Sequence, residues 1–279
     1  MSDDPQRPLL LRADNFTPPT RTPWGGTRIL SRYKADAPLD PDRAAYPVVG
    51  ESWEISVEPD FPSRIDGTGE LLSDVVGSTA LLVKLLDAAE PLSVQIHPSD
   101  DYEALAQDES GKPESWYVLE AEPGAGLYLG LREGVDRERM REALESEADV
   151  SELLGFVPVA TGDFFVIDAG TAHAIGPGIT LVEPQRVLPG RRGLTYRYWD
   201  WNRHYDETGR PDDHGKPRTL HVREALDVTA WDAPREDALL ERIRLRAGAP
   251  DTGGAPRREP LGGPEGPVRF DPLRVERLT

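Results

Sequence analysis

Near the end of its first third the chain reads Leu92-Ser93-Val94-Gln95-Ile96-His97-Pro98. Side chains two residues apart on a β-strand share a face, so Ser93, Gln95 and His97 project together while the apolar residues between them pack behind. This alternation predicts a half-buried strand. A solvated sheet face would also carry three polar groups, so the segment by itself is compatible with both a functional site and an ordinary surface.

Short segments of the same kind occur along most of the chain, bounded by 26 glycines and 27 prolines. The other predicted strands are Glu51–Val57, Leu81–Leu86, Glu114–Leu119, Gly126–Leu129, Asp163–Ile167, Thr180–Pro184 and Thr195–Tyr198. Many short strands separated by turn residues favour an antiparallel β-barrel or sandwich over alternating β and α units.

Helices are predicted only as additions to this β core. One is expected at Tyr102–Gln107 after a Ser99 N-cap, and one at Arg137–Leu154, which gives a helical insertion around residues 135–154. We predict a main domain over residues 1–228 and a reduced C-terminal β region over residues 229–279. That region is predicted to hold a Gly/Pro-rich loop at 247–267 and one strand at Val268–Leu278.

The composition excludes several classes of chemistry. The 279 residues carry a formal net charge of −18 and include no cysteine, which excludes disulfides, thiol nucleophiles and Cys-ligated metals. The acidic charge opposes binding to nucleic acid or an anionic membrane. Without a long apolar run or a signal-peptide pattern, we expect a cytoplasmic protein, a monomer or weak homo-oligomer, whose partner is a small substrate.

Two of the five histidines lie in strand-forming surroundings. His97 ends the segment quoted above, and His173 follows a glycine turn at the start of another strand. Glu114 begins a strand with Lys112 on the same side, an arrangement that a surface ion pair would also explain. Two neutral imidazoles and one carboxylate suit zinc or another divalent metal, and Gln95 could add an amide oxygen. The remaining histidines are expected to be structural or exposed: His204, His214 and His221.

These residues resemble known motifs. The pattern Gly162-x5-Asp168-x-Gly170-x2-His173 is similar to the second metal motif of the cupin barrel, with Asp168 where that motif has proline. Several segments resemble, more closely, type I mannose-6-phosphate isomerases: Trp24–Gly26, Leu82–Leu86, Leu92–Pro98, Gly111–Glu114, Ala169–Ala174 and Thr195–Arg197. The resemblance implies a mainly β fold with a cupin-type (jelly-roll) barrel and a few helices. Members of that family continue into a second, smaller β-barrel, and the Gly/Pro-rich stretch here predicts a reduced or truncated second β region instead.

The same resemblance implies an enzyme that interconverts mannose 6-phosphate and fructose 6-phosphate through a cis-enediol(ate), with one Zn2+ per chain. The zinc ligands that it implies are Gln95, His97, Glu114 and His173. The substrate- and phosphate-contacting residues that it implies are Ser93, Lys84 and Lys112. The catalytic candidates are Lys112, Arg191, Arg197 and Glu183. Lys112 is either the base or a phosphate-binding cation, and Glu183 and a metal-bound water are the other candidate bases.

Two other functions are alternatives to isomerisation. A non-catalytic cupin that binds a sugar or metabolite would use the same fold without turnover. An oxygenase would favour a His-x-His motif with iron and a pocket that lacks phosphate-neutralising cations. Gln95 in place of the first histidine, together with the several cations, argues against the oxygenase.

Overall fold

The computed structural model of the protein describes residues 8–246, 258–264, 266–269 and 273–278. Its strands are β1 Glu51–Ile55, β2 Leu81–Ala88, β3 Val94–Ile96, β4 Glu109–Ser110, β5 Glu114–Ala121, β6 Gly126–Leu131, β7 Leu154–Pro158, β8 Phe164–Ile167, β9 His173–Ile175, β10 Ile179–Arg186, β11 Arg192–Gly193, β12 Tyr196–Trp199, β13 Arg244–Leu245, β14 Arg258–Gly263, β15 Val268–Arg269 and β16 Val275–Leu278. Its α-helices are α1 Pro41–Ala45, α2 Leu72–Val76, α3 Arg137–Glu145, α4 Val222–Val228 and α5 Glu236–Ile243.

Two antiparallel sheets form the main body. One has six strands in the order β1-β2-β10-β5-β8-β13, and the other has five in the order β12-β3-β9-β6-β7. Trp116 and Leu181 of the larger sheet pack in one apolar core with Leu127 and Ile175 of the smaller. Burial of these large side chains between the faces is the main source of stability for such a sandwich. The predicted mainly β fold is confirmed, and within the described residues its strands pair as separate sheets.

The helix predicted at Tyr102–Gln107 is wrong, because these residues form turns. The carboxylate of Asp100, which was expected in its first turn, instead accepts a hydrogen bond from the backbone N–H of Gly111 at 3.0 Å. It also pairs with Arg186 of β10. The segment therefore follows long-range contacts at the end of the sheets rather than its local helical pattern.

The helix predicted at Arg137–Leu154 is shorter than expected. The α3 helix begins after Asp136, whose side chain accepts from the N–H of Arg139, and ends at Glu145. Glu147 then has a φ of 55°, in the left-handed region that breaks a helix. Leu154 belongs to β7, because it pairs with Leu131 of β6.

Part of the loop predicted at residues 247–267 forms a strand instead. Residues 247–257 and 265 of the predicted loop lie outside the described residues, but Arg258–Gly263 form β14, which pairs with β15 and β16. Leu261 and Val268 pack against Phe164 and Val166 of β8, so apolar contact with the main body overrides the glycine-rich sequence. The single strand predicted at Val268–Leu278 is divided into β15 and β16. The division at residue 228 stays a prediction.

Candidate metal centre

One end of the space between the two sheets collects polar side chains from both. Glu114 begins β5 of the larger sheet, His173 begins β9 of the smaller, and His97 directly follows β3. All three are buried. Gln95 of β3 pairs directly with His173, and residues paired in this way project from the same face of a sheet. The fold thus unites segments that are about 20 to 75 positions apart in the sequence.

The two histidines face one carboxylate. Nε2 of His97 lies 3.2 Å from Oε2 of Glu114, and Nε2 of His173 lies 3.4 Å from Oε1 of the same residue. The imidazole ring centres are 4.9 Å apart. One possible ligand atom from each of the three residues lies within 4.8 Å of the others, which is close enough for one ion to contact all three.

Each imidazole is oriented by a backbone carbonyl. Nδ1 of His97 lies 2.9 Å from the carbonyl oxygen of Leu194, and Nδ1 of His173 lies 2.8 Å from that of Thr171. Because a carbonyl only accepts, both Nδ1 atoms carry the hydrogen, and in neutral rings both Nε2 atoms present a lone pair. These Nε2 atoms and Oε1 of Glu114 are buried without a hydrogen-bond partner among the described residues. Two lone pairs directed at a carboxylate fit a bound cation.

The electrostatics of the site maintain the protonation states that a metal requires. Burial lowers the pKa of His97, and it lowers the pKa of His173 to about 3, so both rings are neutral at pH 7. Burial alone would raise the pKa of Glu114, but His97 and the positive charge of Lys112 hold it well below its usual range. Neutral imidazoles and an ionised carboxylate are the forms that bind divalent zinc.

Two lysines flank the cluster: Lys84 is buried and Lys112 is half-buried. Nζ of Lys112 lies 3.7 Å from Oε2 of Glu114. Nζ of Lys84 lies 3.4 Å from Glu183 and 3.8 Å from Glu51. With all five groups ionised, two lysines face three carboxylates and the cluster carries a net charge of −1. A divalent cation changes that to +1, which favours an anionic ligand.

Glu183 differs from Glu114 in its protonation. The indole N–H of Trp116 donates to Oε1 of Glu183 at 3.0 Å. Burial raises the pKa of Glu183 to about 7, and the charge of Glu114 adds to this effect while Lys84 opposes it. A carboxyl group with this pKa can both take and return a proton at neutral pH.

The arginines of the predicted site lie further out. Arg197 pairs with Gln95 across β12 and β3, and its Nε donates to Oγ of Ser93 at 3.2 Å. Its Nη1 donates to the carbonyl of Thr219. Arg191 is exposed, and its side chain contacts the carbonyl of Glu109 at 3.4 Å. Arg197 thus lies on the face that holds the cluster, while Arg191 lies at the surface.

Sequence reasoning missed three residues of this region. Gln185 donates from Nε2 to Oε2 of Glu114 at 2.7 Å, Trp116 donates to Glu183, and Glu51 lies beside Lys84. A signal for Gln185 was present, since it alternates with Glu183 on one strand. Its register opposite Glu114, however, is a long-range property.

The fold and the site define a class of protein: a two-sheet β protein with a buried His–Glu–His centre suited to a metal. No model of a known protein family matches the chain. The mannose-6-phosphate isomerase of Streptococcus mutans is 34% identical over 226 residues, which cover 76% of this chain and 65% of that protein. A probable mannose-6-phosphate isomerase of Bacillus subtilis is 32% identical over 74% of this chain and 64% of its own length.

Solved structures agree with these relatives. The crystal structure of the mannose 6-phosphate isomerase from Bacillus subtilis superposes with a TM-score of 0.68 and 25% identity, over 98% of this chain and 80% of that one. A zinc-bound mannose 6-phosphate isomerase shares the fold, with a TM-score of 0.56 and 16% identity over 96% of this chain and 82% of that one. By sequence and by fold, this chain is related to the mannose-6-phosphate isomerases, and the resemblance found in the sequence is confirmed.

The chain spans slightly less than two thirds of the length of the two curated relatives. In the part that the structure describes, every helix is too short or too polar to cross a lipid bilayer.

Proposed function

We propose that this chain is a zinc-dependent aldose–ketose isomerase that interconverts mannose 6-phosphate and fructose 6-phosphate. The observation that carries the proposal is the convergence of His97, Glu114 and His173 between two lysines, with ligand atoms that have no hydrogen-bond partner among the described residues. The proposed reaction is that named for the related mannose-6-phosphate isomerases, and zinc is proposed because a structural neighbour binds it.

His97, Glu114 and His173 would hold the metal, with Gln95 as the fourth ligand implied by the resemblance. A bound divalent cation supplies Lewis-acid stabilisation of negative charge on the sugar oxygens. Lys112 places a positive charge beside the carboxylate, and Arg197 with Ser93 offers donors on the neighbouring strands. These groups place positive charge and hydrogen-bond donors at the site, where an anionic substrate must bind although the chain as a whole carries a charge of −18.

Through a cis-enediol(ate), isomerisation moves the hydroxyl proton of the sugar from O2 to O1 and the carbon-bound proton from C2 to C1. The carbon-bound proton is the one that needs a base. Glu183 is our candidate for the group that moves it, because its raised pKa lets it accept and return a proton near pH 7. The indole N–H of Trp116 fixes one of its oxygens. Lys84 lies against the other and offsets part of the negative charge. Burial of all three keeps bulk water from exchanging the proton.

A coupled assay of mannose 6-phosphate turnover tests this function. Protein of measured zinc content is assayed, stripped with a chelator, and restored with zinc. Turnover that is lost on stripping and returns with zinc is expected. His97→Ala removes one ligand and should lower kcat/KM at least about 100-fold.

The matched control is His204→Ala, which removes an exposed histidine outside the cluster and should leave turnover unchanged. Folded protein with one zinc per chain and no turnover would overturn the isomerase proposal. It would favour a sugar- or metabolite-binding protein instead.

A further inference from the structure

Gln185 is a fully buried residue that the proposed function leaves without a role. It lies in β10, the strand that runs between β2 and β5 in the centre of the larger sheet. Its Cα is the direct partner of that of Glu114, so both side chains leave the same face. Its Nε2 donates to Oε2 of Glu114 at 2.7 Å, and both side chains are wholly buried.

The orientation of this amide is determined by charge. An ionised carboxylate only accepts hydrogen bonds, so Gln185 must present its NH2 group to Glu114 and not its oxygen. Oε1 of Gln185 is consequently left buried without a partner among the described residues. An amide that pairs with one group and leaves its oxygen unpaired is costly in a core that serves only stability.

The same hydrogen bond gives the two carboxylate oxygens of Glu114 different surroundings. Oε2 of Glu114 receives the amide of Gln185, and it lies 3.7 Å from Nζ of Lys112 and 3.2 Å from Nε2 of His97. Oε1 has no hydrogen-bond partner among the described residues and lies 3.4 Å from Nε2 of His173. The amide thus stops the carboxylate from rotating and keeps Oε1 available to an ion beside the imidazoles.

We infer that Gln185 is the positioning residue for Glu114, and that its amide sets the metal affinity of the site. The inference rests on the proposed metal centre, but it does not require that the bound metal supports isomerisation. Outer partners of metal ligands typically contribute 10–100-fold to affinity, because they fix the ligand before the ion arrives.

The test measures zinc affinity of the full chain without substrate, by competition with a chelator of known affinity. Gln185→Met keeps the length of the side chain and removes the donor, so zinc affinity should fall about 10–100-fold. Gln185→Asn retains an amide with a shorter reach. It should also weaken zinc binding, by less than Gln185→Met, and it replaces that variant if the methionine protein does not fold.

The matched control is Thr180→Val on the same strand. Thr180 is equally buried, and its hydroxyl donates to Asp87 at 3.4 Å, in a separate cluster. Thr180→Val should alter the unfolding midpoint of metal-free protein while zinc affinity stays unchanged. Gln185→Met also removes a hydrogen bond from a buried carboxylate, so it should lower the unfolding midpoint too. Thr180→Val shows that such a loss of stability does not by itself weaken zinc binding, whereas Gln185→Met should weaken it.

Cobalt provides a second measurement that a purely structural role would not change. The visible absorption of Co2+ depends on the arrangement of its ligands, so a mobile Glu114 carboxylate should alter the spectrum of cobalt-loaded Gln185→Met relative to the original protein. Thr180→Val should retain the original spectrum.

Unchanged zinc affinity and an unchanged cobalt spectrum in Gln185→Met would overturn the inference, as would an original protein that binds no zinc. A chain that binds zinc without isomerase turnover would contradict the proposed function alone, since the effect of Gln185 is measured on metal binding.

Discussion

The carbonyl oxygen of Leu194 lies 2.9 Å from Nδ1 of His97, a residue 97 positions earlier in the chain. This contact fixes the tautomer of a candidate metal ligand. The backbone N–H of Leu194 donates in turn to the carbonyl of Ser110 at 3.0 Å, and Gly193 pairs with Ser110 where β11 meets β4. The segment that contains Arg191 is therefore tied to the metal centre through its backbone.

Gly193→Ala tests whether this segment also positions Lys112. A Cβ at position 193 would lie 3.0–3.2 Å from three carbons of the Lys112 side chain, closer than ordinary contact. The lysine stem must shift by a few tenths of an ångström, which displaces its ammonium group relative to Glu114. We expect kcat/KM for mannose 6-phosphate to fall about tenfold, since small misplacements of charged groups are costly in catalysis. Thermal unfolding should change little, and unchanged kinetics would show that Gly193 does not position Lys112.

Glu183→Gln tests the proton-transfer role. An amide cannot accept the C2 proton, so turnover should fall about 100- to 10,000-fold. Transfer of deuterium from C2-labelled mannose 6-phosphate to C1 of the product, followed by NMR, should fall in parallel. In the unsubstituted protein, kcat/KM should decrease as the pH falls through the pKa of Glu183, because the protonated carboxyl group is not a base. If the decrease of kcat/KM at low pH persists in Glu183→Gln, another group is responsible for it.

Lys112→Met separates the two roles considered for this lysine. As a phosphate-binding cation, Lys112 should contribute to kcat/KM for mannose 6-phosphate and not to kcat/KM for unphosphorylated mannose, assayed at high concentration as a second substrate. We expect a loss of about 100-fold for the phosphorylated sugar alone, since a charge-assisted contact is removed. Equal losses for both sugars would instead indicate that Lys112 is the base.

The stability of the metal-free protein should depend on pH through His173. Its pKa is about 3 in the folded chain, below the ordinary 6.5 of an unfolded histidine. The unfolded state therefore binds the proton more tightly, and folding stability falls as the pH drops below about 6.5. Between pH 8 and pH 5 the loss should be about 2 kcal/mol from this residue. Denaturant unfolding of His173→Gln should show a correspondingly weaker pH dependence, and an identical dependence would contradict the assignment.

Asp200 should stabilise the fold away from the metal centre. This buried carboxylate accepts hydrogen bonds from Arg203 at 2.7 Å and from Arg218 at 2.6 Å. Burial would raise its pKa, but the two arginines hold it below its usual value. Asp200→Asn leaves two half-buried guanidinium groups poorly compensated and should cost about 2 kcal/mol in denaturant unfolding.

The comparison variant for Asp200→Asn is Glu138→Gln, which breaks an exposed pair with Arg141 and should have no measurable effect. The depressed pKa of Asp200 also has a pH consequence. The difference between the original protein and Asp200→Asn should shrink as the pH falls below about 4, because the unfolded state binds the proton there while the folded carboxylate is still ionised. A constant difference would contradict the ion-pair explanation.

Much of the sheet architecture could be read from local sequence. The alternation at Leu92–Pro98 and the turn before His173 placed two histidines at strand ends, because period-two patterns and glycine turns are local signals. The helix expected at Tyr102–Gln107 failed for the opposite reason, since Asp100 is engaged by Gly111 and Arg186 from distant parts of the chain. A short polar segment takes its conformation from such contacts.

The sequence by itself determined the strand-rich class of the chain, the absence of cysteine chemistry and the residue types available for a metal. Only the tertiary structure placed Gln185 opposite Glu114 and the carbonyl of Leu194 against His97. The tertiary structure also buries Glu183, and this burial raises its pKa to about 7. Strand register and burial arise from pairings between distant segments, and the free energy of those pairings is not encoded in any one stretch of residues.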